Sequence, residues 1–137
     1  MSVIGRSLER LEDRPLVTGR VEFAGDVAFP HMLHLRLVRS AHAHGRLVSI
    51  EASAALALPG VAAVWTSADV AEIPPIDFRL SRIEGLAPYR QPILARERVR
   101  YVGEPIAAVF ASDPYVAEDA ADLVIIDEAA RVTDELL

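Results

Sequence analysis

Residues 39–46 read Arg-Ser-Ala-His-Ala-His-Gly-Arg and place His42 and His44 two apart, in a chain of 137 residues that has four histidines. On a strand, this spacing turns both imidazoles to one face, where they could chelate a metal. Structural zinc needs four ligands, and catalytic zinc needs three plus an open position. The rest would have to come from His31, His34, Glu51 or a remote carboxylate, and no HExxH, CxxC or facial-triad spacing supplies them. The plainer reading is that the pair closes a strand end and hydrogen-bonds backbone groups at a turn.

A second candidate is Glu104, beside Gly103. A glutamate at a glycine turn could serve as a general base, but it more commonly shapes the turn or meets a partner. Gly103 stands in neither a GxGxxG nor a GxxxxGK pattern, so phosphate cradling is not indicated. No serine occupies a GxSxG elbow. The chain has no cysteine, which excludes a disulfide, a thiolate nucleophile and cysteine-ligated iron–sulfur clusters within it. All 14 basic residues are arginines, so Schiff-base and P-loop lysine chemistry are excluded as well. The residues therefore nominate no catalytic, cofactor-binding or metal-ligating group.

The elements that must position these residues follow from periodicity. Met32 to Arg39 alternates, and its leucines at 33, 35 and 37 are expected to face inward from a strand. Arg46–Glu51 is a second strand, Ser53 the N-cap of a short helix stopped at Pro59-Gly60, and Val61–Trp65 a third strand. Leu16 to Arg20 suggests a short strand and turn, with Phe23 and Phe29 as anchors. Residues 72–95, with four prolines at 74, 75, 88 and 92, read as a long irregular loop. Val99-Arg100-Tyr101 resumes strand, Gly103-Glu104-Pro105 turns, and Ile106–Ala111 is an apolar run expected to be covered on both faces. Asp113-Pro114 opens a helix with Val116, Ala120 and Val124 on its apolar stripe. Leu123 to Asp127 leads into a last strand. The order strand–helix–strand thus occurs twice, and the expected fold is one α+β domain of two short helices on a mixed sheet.

The net charge of −6, with dispersed basic residues, argues against a nucleic-acid surface. No apolar run reaches membrane-spanning length and no signal-like stretch opens the chain, so a cytoplasmic location is expected.

These stretches resemble the α/β hammerhead domain that begins the molybdopterin-binding large subunit of the xanthine dehydrogenase, aldehyde oxidase and carbon monoxide dehydrogenase family. The resemblance rests on Leu16-Val17-Thr18-Gly19, Met32-Leu33-His34, Val38-Arg39-Ser40-x-His42-Ala43-His44, Leu58-Pro59-Gly60-Val61 and Val99-Arg100-Tyr101-Val102-Gly103-Glu104-Pro105. It departs where the family has proline at Ala41, glycine at His31, threonine at Ala52, and a different continuation across residues 128–137. It implies a structural and assembly domain of a molybdenum hydroxylase, without the family's molybdopterin-binding and catalytic domains. Molybdopterin, iron–sulfur clusters and FAD are expected in the full assembly and not on this chain. The implied partners are the molybdopterin-binding domain or subunit and the iron–sulfur subunit. The candidate interface is Arg39, Ser40, His42, His44, Arg46, Tyr101, Gly103 and Glu104, with the proline-rich loop. The alternatives are a small histidine-based metal protein or stand-alone binding module, and a folded gene remnant. Calorimetric titration with zinc, nickel or copper separates the metal reading: it requires heat that His44→Ala removes, whereas a packing domain gives none.

Overall fold

The computed structural model describes residues 4–78 and 83–130. The chain divides into two compact units, residues 1–32 and 33–137. In the first, the expected strand at Leu16 is instead the end of a short helix, α1 (Asp13–Val17). Local bonds decide this: Asp13 accepts the Arg10 N–H at 3.1 Å, and the Thr18 hydroxyl donates to the Arg14 carbonyl at 2.8 Å. Gly19, at φ +66°, lets the chain leave the helix left-handed. Phe23 and Phe29, expected as anchors, are exposed. His31 has φ +63°, a region that costs a side-chain-bearing residue about 1–2 kcal/mol. This is the position where the resembled family carries glycine.

The second unit holds the sheets. Its elements are β1 (His34–Arg39), β2 (Gly45–Glu51), α2 (Ser53–Leu56), β3 (Val61–Trp65), a 3₁₀ helix (Glu84–Tyr89), β4 (Arg98–Val99), β5 (Pro105–Ala111), α3 (Pro114–Asp122) and β6 (Ile125–Ala130). The expected single mixed sheet is replaced by two three-stranded sheets, ordered β1-β5-β3 and β4-β2-β6, with every pairing antiparallel. Both strand–helix–strand units cross between the sheets: β2-α2-β3 runs one way and β5-α3-β6 the other. A crossing connection leaves its two strands in different sheets, so neither unit generates a parallel pair. Within the proline-rich segment, Ile76 and Gln91 form an isolated antiparallel bridge. Residues 79–82 and 131–137, parts of the expected loop and of the divergent end, lie outside the described residues.

β5 is the central strand of its sheet and, as expected, is covered on both faces, with Ile106, Ala107, Val109 and Ala111 fully buried. It feeds three core clusters: Val109 joins Ala55, Ala120 and Val124; Ala108 joins Val70 and Leu94; Ile106 joins Ala95 and Val99. α3 forms as read. The Asp113 carboxylate accepts the N–H groups of Tyr115 and Val116 at 2.8 and 3.3 Å, and Pro114 opens the first turn. Ser53, expected as the cap of α2, is its first helical residue. The N-cap is Ala52, which has no polar side chain to offer, and Glu51 before it accepts the Ser53 N–H on Oε1 at 2.8 Å.

The strand over residues 34–39 presents its faces in the reverse of the expected sense. Val38 packs in the cluster under α3, and Arg36 reaches the same helix to pair with Glu118 at 2.7 Å. The leucines take the opposite face. Leu37 is half-buried against Val70, Leu94 and Ala108, while Leu33 and Leu35 remain 48% and 55% exposed. The stripe of α3 is narrow and alanine-rich, and Val38, Val61, Val64 and Val109 already fill the space beneath it.

Three measurements test this packing. Ile106→Ala should lower unfolding free energy by about 2–5 kcal/mol in denaturant titration, because it opens a cavity in a closed core. Gly60→Ala should also destabilise. Gly60 has φ +94°, and a Cβ there would stand 3.1 Å from Ser112 Oγ and 3.4 Å from Val116 Cγ1. The Ser53 N–H bond lowers the Glu51 carboxyl below its ordinary pKa. Its contribution is therefore present above the ordinary carboxylate value and is lost as pH falls through the depressed one. Glu51→Gln should flatten that part of the acid dependence of the thermal midpoint.

Candidate functional site

The turn linking β1 to β2 and the turn entering β5 meet edge to edge. β1 ends in an irregularity between Val38 and Arg39, as a bulge often does beside a specialised segment. There Ser40 becomes a hub. Its N–H donates to the Glu104 carbonyl at 3.0 Å, and its own carbonyl accepts the Gly103 N–H at 2.8 Å. Its hydroxyl accepts the His42 N–H at 3.0 Å and lies 3.0 Å from both the His42 carbonyl and Glu128 Oε2. A hydroxyl has one proton, and the carboxylate is the stronger acceptor. Arg39 closes the arrangement from the other side, donating from Nη1 to the Gly103 carbonyl at 2.8 Å. Gly103 sits at φ +88°, which the sharp entry to β5 requires.

Two carboxylates are held inside these turns. Glu104 is 1% exposed, and its Oε2 accepts the Arg100 N–H at 2.5 Å, with the Arg100 guanidinium 3.7 Å from Oε1. The Glu128 side chain is 5% exposed, and its Oε2 also lies 2.5 Å from His42 Nδ1. A carboxylate accepts only, so Nδ1 carries the proton and Nε2 is the imidazole's free nitrogen. A buried carboxylate is tolerated only with such partners. Among the described residues, no buried side-chain nitrogen or oxygen lacks a hydrogen bond.

The sequence-derived residues therefore divide. Arg39, Ser40, His42, Gly103 and Glu104 form one network. Tyr101 joins its margin, accepting the Gln91 amide at 2.6 Å on its hydroxyl and the Glu104 N–H at 3.2 Å on its carbonyl. Ser40 and Glu104 work from the interior of the turns. His44 is exposed, and Arg46 stands opposite Arg98 across the second sheet. His42 and His44 lie in a bent segment, not on a strand, so strand alternation does not set them on one face. Glu128 was missed by the sequence reading. Its signal was an acidic residue among the apolar positions of Ile125-Ile126-x-x-Ala129-Ala130, which the structure pairs with Leu47 of β2.

The other notable surface is the outer face of the β1-β5-β3 sheet. Leu35 stands opposite Phe110, which stands opposite Ala63; Leu37 and Trp65 flank Ala108. Trp65 and Phe110 contact edge to face with centroids 4.7 Å apart. Trp65 is nevertheless 45% exposed, and with Leu33 and Leu35 it leaves an uncovered apolar band. Among the described residues, no helix is long and apolar enough to cross a membrane.

The model of the aldehyde oxidase and xanthine dehydrogenase a/b hammerhead domain matches residues 18–130. The gamma subunit of the 6-hydroxypseudooxynicotine dehydrogenase complex of Paenarthrobacter nicotinovorans is 45% identical over 128 residues, 90% of this chain and 16% of that protein. The crystal structure of quinoline 2-oxidoreductase from Pseudomonas putida 86 superposes with a TM-score of 0.83 at 42% identity, over 93% of this chain and 16% of that one. The Cu,Mo-CO dehydrogenase superposes at 0.81 with 37% identity, over 93% and 15%. This chain thus spans about 15–16% of the length of these proteins. Its own turns do not fit a metal centre of that kind. Among the described residues no three His, Cys, Asp or Glu side chains converge, and Glu128 Oε2 is already bonded to Ser40 and His42. On the match over residues 18–130 and the agreement in fold, the chain belongs to the aldehyde oxidase and xanthine dehydrogenase α/β hammerhead family.

Proposed function

We propose that this chain serves as a structural and assembly domain of a molybdenum hydroxylase-type oxidoreductase. It packs against protein that carries the molybdopterin cofactor and, through its turn surface, against an iron–sulfur component. The observation that carries the reading is the uncovered apolar band of Leu33, Leu35 and Trp65 on the sheet face opposite α3. Fully burying one large apolar side chain contributes about 1.5–3 kcal/mol, so a few such anchors suffice to seat a domain. Arg39, His42, His44, Arg46 and Tyr101 supply the exposed polar margin of the interface. Ser40, Gly103 and Glu104 hold that margin in shape. No chemical step is assigned to the turn network, because its carboxylates and hydroxyl are committed to one another.

The test is co-purification of the full chain with the protein encoded beside it, followed by molybdenum analysis of the complex. A molybdenum-containing complex is expected, with Trp65 fluorescence shifted to the blue as the indole is covered. Leu35→Glu and Trp65→Glu should each reduce recovery of the complex while thermal melting of the free chain stays close to the original. A monomer that ignores its encoded neighbours would sink the proposal. So would charged substitutions on this face that leave assembly intact.

A further inference from the structure

Beside β4, at the edge of the second sheet, lies a cavity of about 280 Å³ lined in part by the proline-rich segment. Four arginines line it, Arg90, Arg96, Arg98 and Arg100, against one acidic side chain, Glu97. Three of them, Arg96, Arg98 and Arg100, fall at every second residue in and beside the two-residue strand β4. Ala95, just before them, and Val99, among them, are fully buried, while Glu97 shares the cavity wall with the arginines. Arg46 stands directly opposite Arg98 on the neighbouring strand, a like-charge pair that weakens a sheet unless something neutralises it.

The protein neutralises only part of this charge. Arg90 is bonded to Asp77 at 3.1 Å, and Arg100 lies 3.7 Å from Glu104. Arg96 donates to the Ala71 carbonyl at 3.0 Å, which leaves its charge in place. Among the described residues, no acidic side chain pairs with Arg98 or Arg46. In a chain of net charge −6, this local excess of guanidinium groups calls for an anion. Guanidinium offers a planar fork that matches carboxylate or phosphate oxygens two at a time. The walls are apolar: Val70 and Leu94 are buried at the base, and Ile73 and Ile93 are half-exposed at the rim. The volume falls just below the range for drug-sized ligand pockets, about 300–1,000 Å³, and suits a body of roughly one substituted ring.

We propose that this cavity binds a small organic anion, a carboxylate or phosphate carried on an apolar body, with Arg98 as its principal contact. The full chain is titrated with benzoate and with phenyl phosphate, followed by amide chemical shifts. Benzamide and inorganic phosphate are run beside them. Saturable binding of both organic anions is expected, with shifts centred on residues 70–73 and 90–100. Benzamide should bind at least about tenfold more weakly, since it lacks the charge-assisted bonds. Inorganic phosphate should also be weaker, since it cannot use the walls. Arg98→Ala should weaken the organic anions by about tenfold or more, whereas Arg36→Ala, on the other sheet, should change nothing. The proposal is overturned if the anions show no saturable binding, if benzamide or inorganic phosphate binds as well as they do, or if a folded Arg98→Ala chain binds them unchanged.

Discussion

A strand covered on both faces cannot hold an unpaired charge, and β5 is such a strand. From Ile106 to Ala111 it carries only apolar side chains and contributes to three separate core clusters. The polar chemistry of the domain is therefore displaced to the strand's ends. At the exit, Asp113 caps α3. At the entry, Gly103 and Glu104 make a turn in which a buried carboxylate is fixed by the Arg100 backbone. Ser40, leaving β1 beside this entry, exchanges backbone bonds with Gly103 and Glu104 and so ties the two turns together. Its hydroxyl reaches Glu128, which ties in β6. One side chain thereby connects strands of both sheets.

These buried carboxylates could be mistaken for catalytic machinery, since Glu128 orients an imidazole through Nδ1 much as acidic residues do in hydrolytic triads. The likeness fails at the hydroxyl. In a triad the serine lies on the far imidazole nitrogen; here Ser40 shares the same carboxylate oxygen as His42. His42 is thus a turn constituent, fixed through Nδ1 by Glu128, with its side chain about half exposed.

Much of this fold was legible from residue order. The strand at 46–51, the apolar run at 106–111 and the Asp113-Pro114 helix start all report local physics, and each formed where expected. The outward leucines of β1 could not be read this way, because alternation tells that a strand has two faces and not which one the helices choose. The helix at 13–17 was hidden because it is a single short turn whose N-cap, Glu12, makes no side-chain cap bond. The site was half visible. Special residues such as Gly103, Glu104 and Ser40 marked the turns, but their joining depends on register between segments some sixty positions apart, as in Ser40 and Glu104. The role of Glu128 was hidden for a similar reason: its partners Ser40 and His42 come from the turn between β1 and β2, far back along the chain.

The sheet orders have a consequence for how the molecule is made. None of β1, β2 or β3 pairs with another of the three; β1 and β3 both wait for β5, and β2 waits for β4 and β6. During synthesis β1, β2 and β3 emerge before any described strand that can pair with them. Neither sheet closes until the stretch between Arg98 and Ala130 has emerged. Distant pairing of this kind folds slowly, because loop closure must be achieved before any contact offsets it. Until then Leu33, Leu35, Trp65 and the strand edges beside them are open to the solvent, and other copies of the chain can reach them. The surface suited to assembly is thus the one that must be guarded during synthesis.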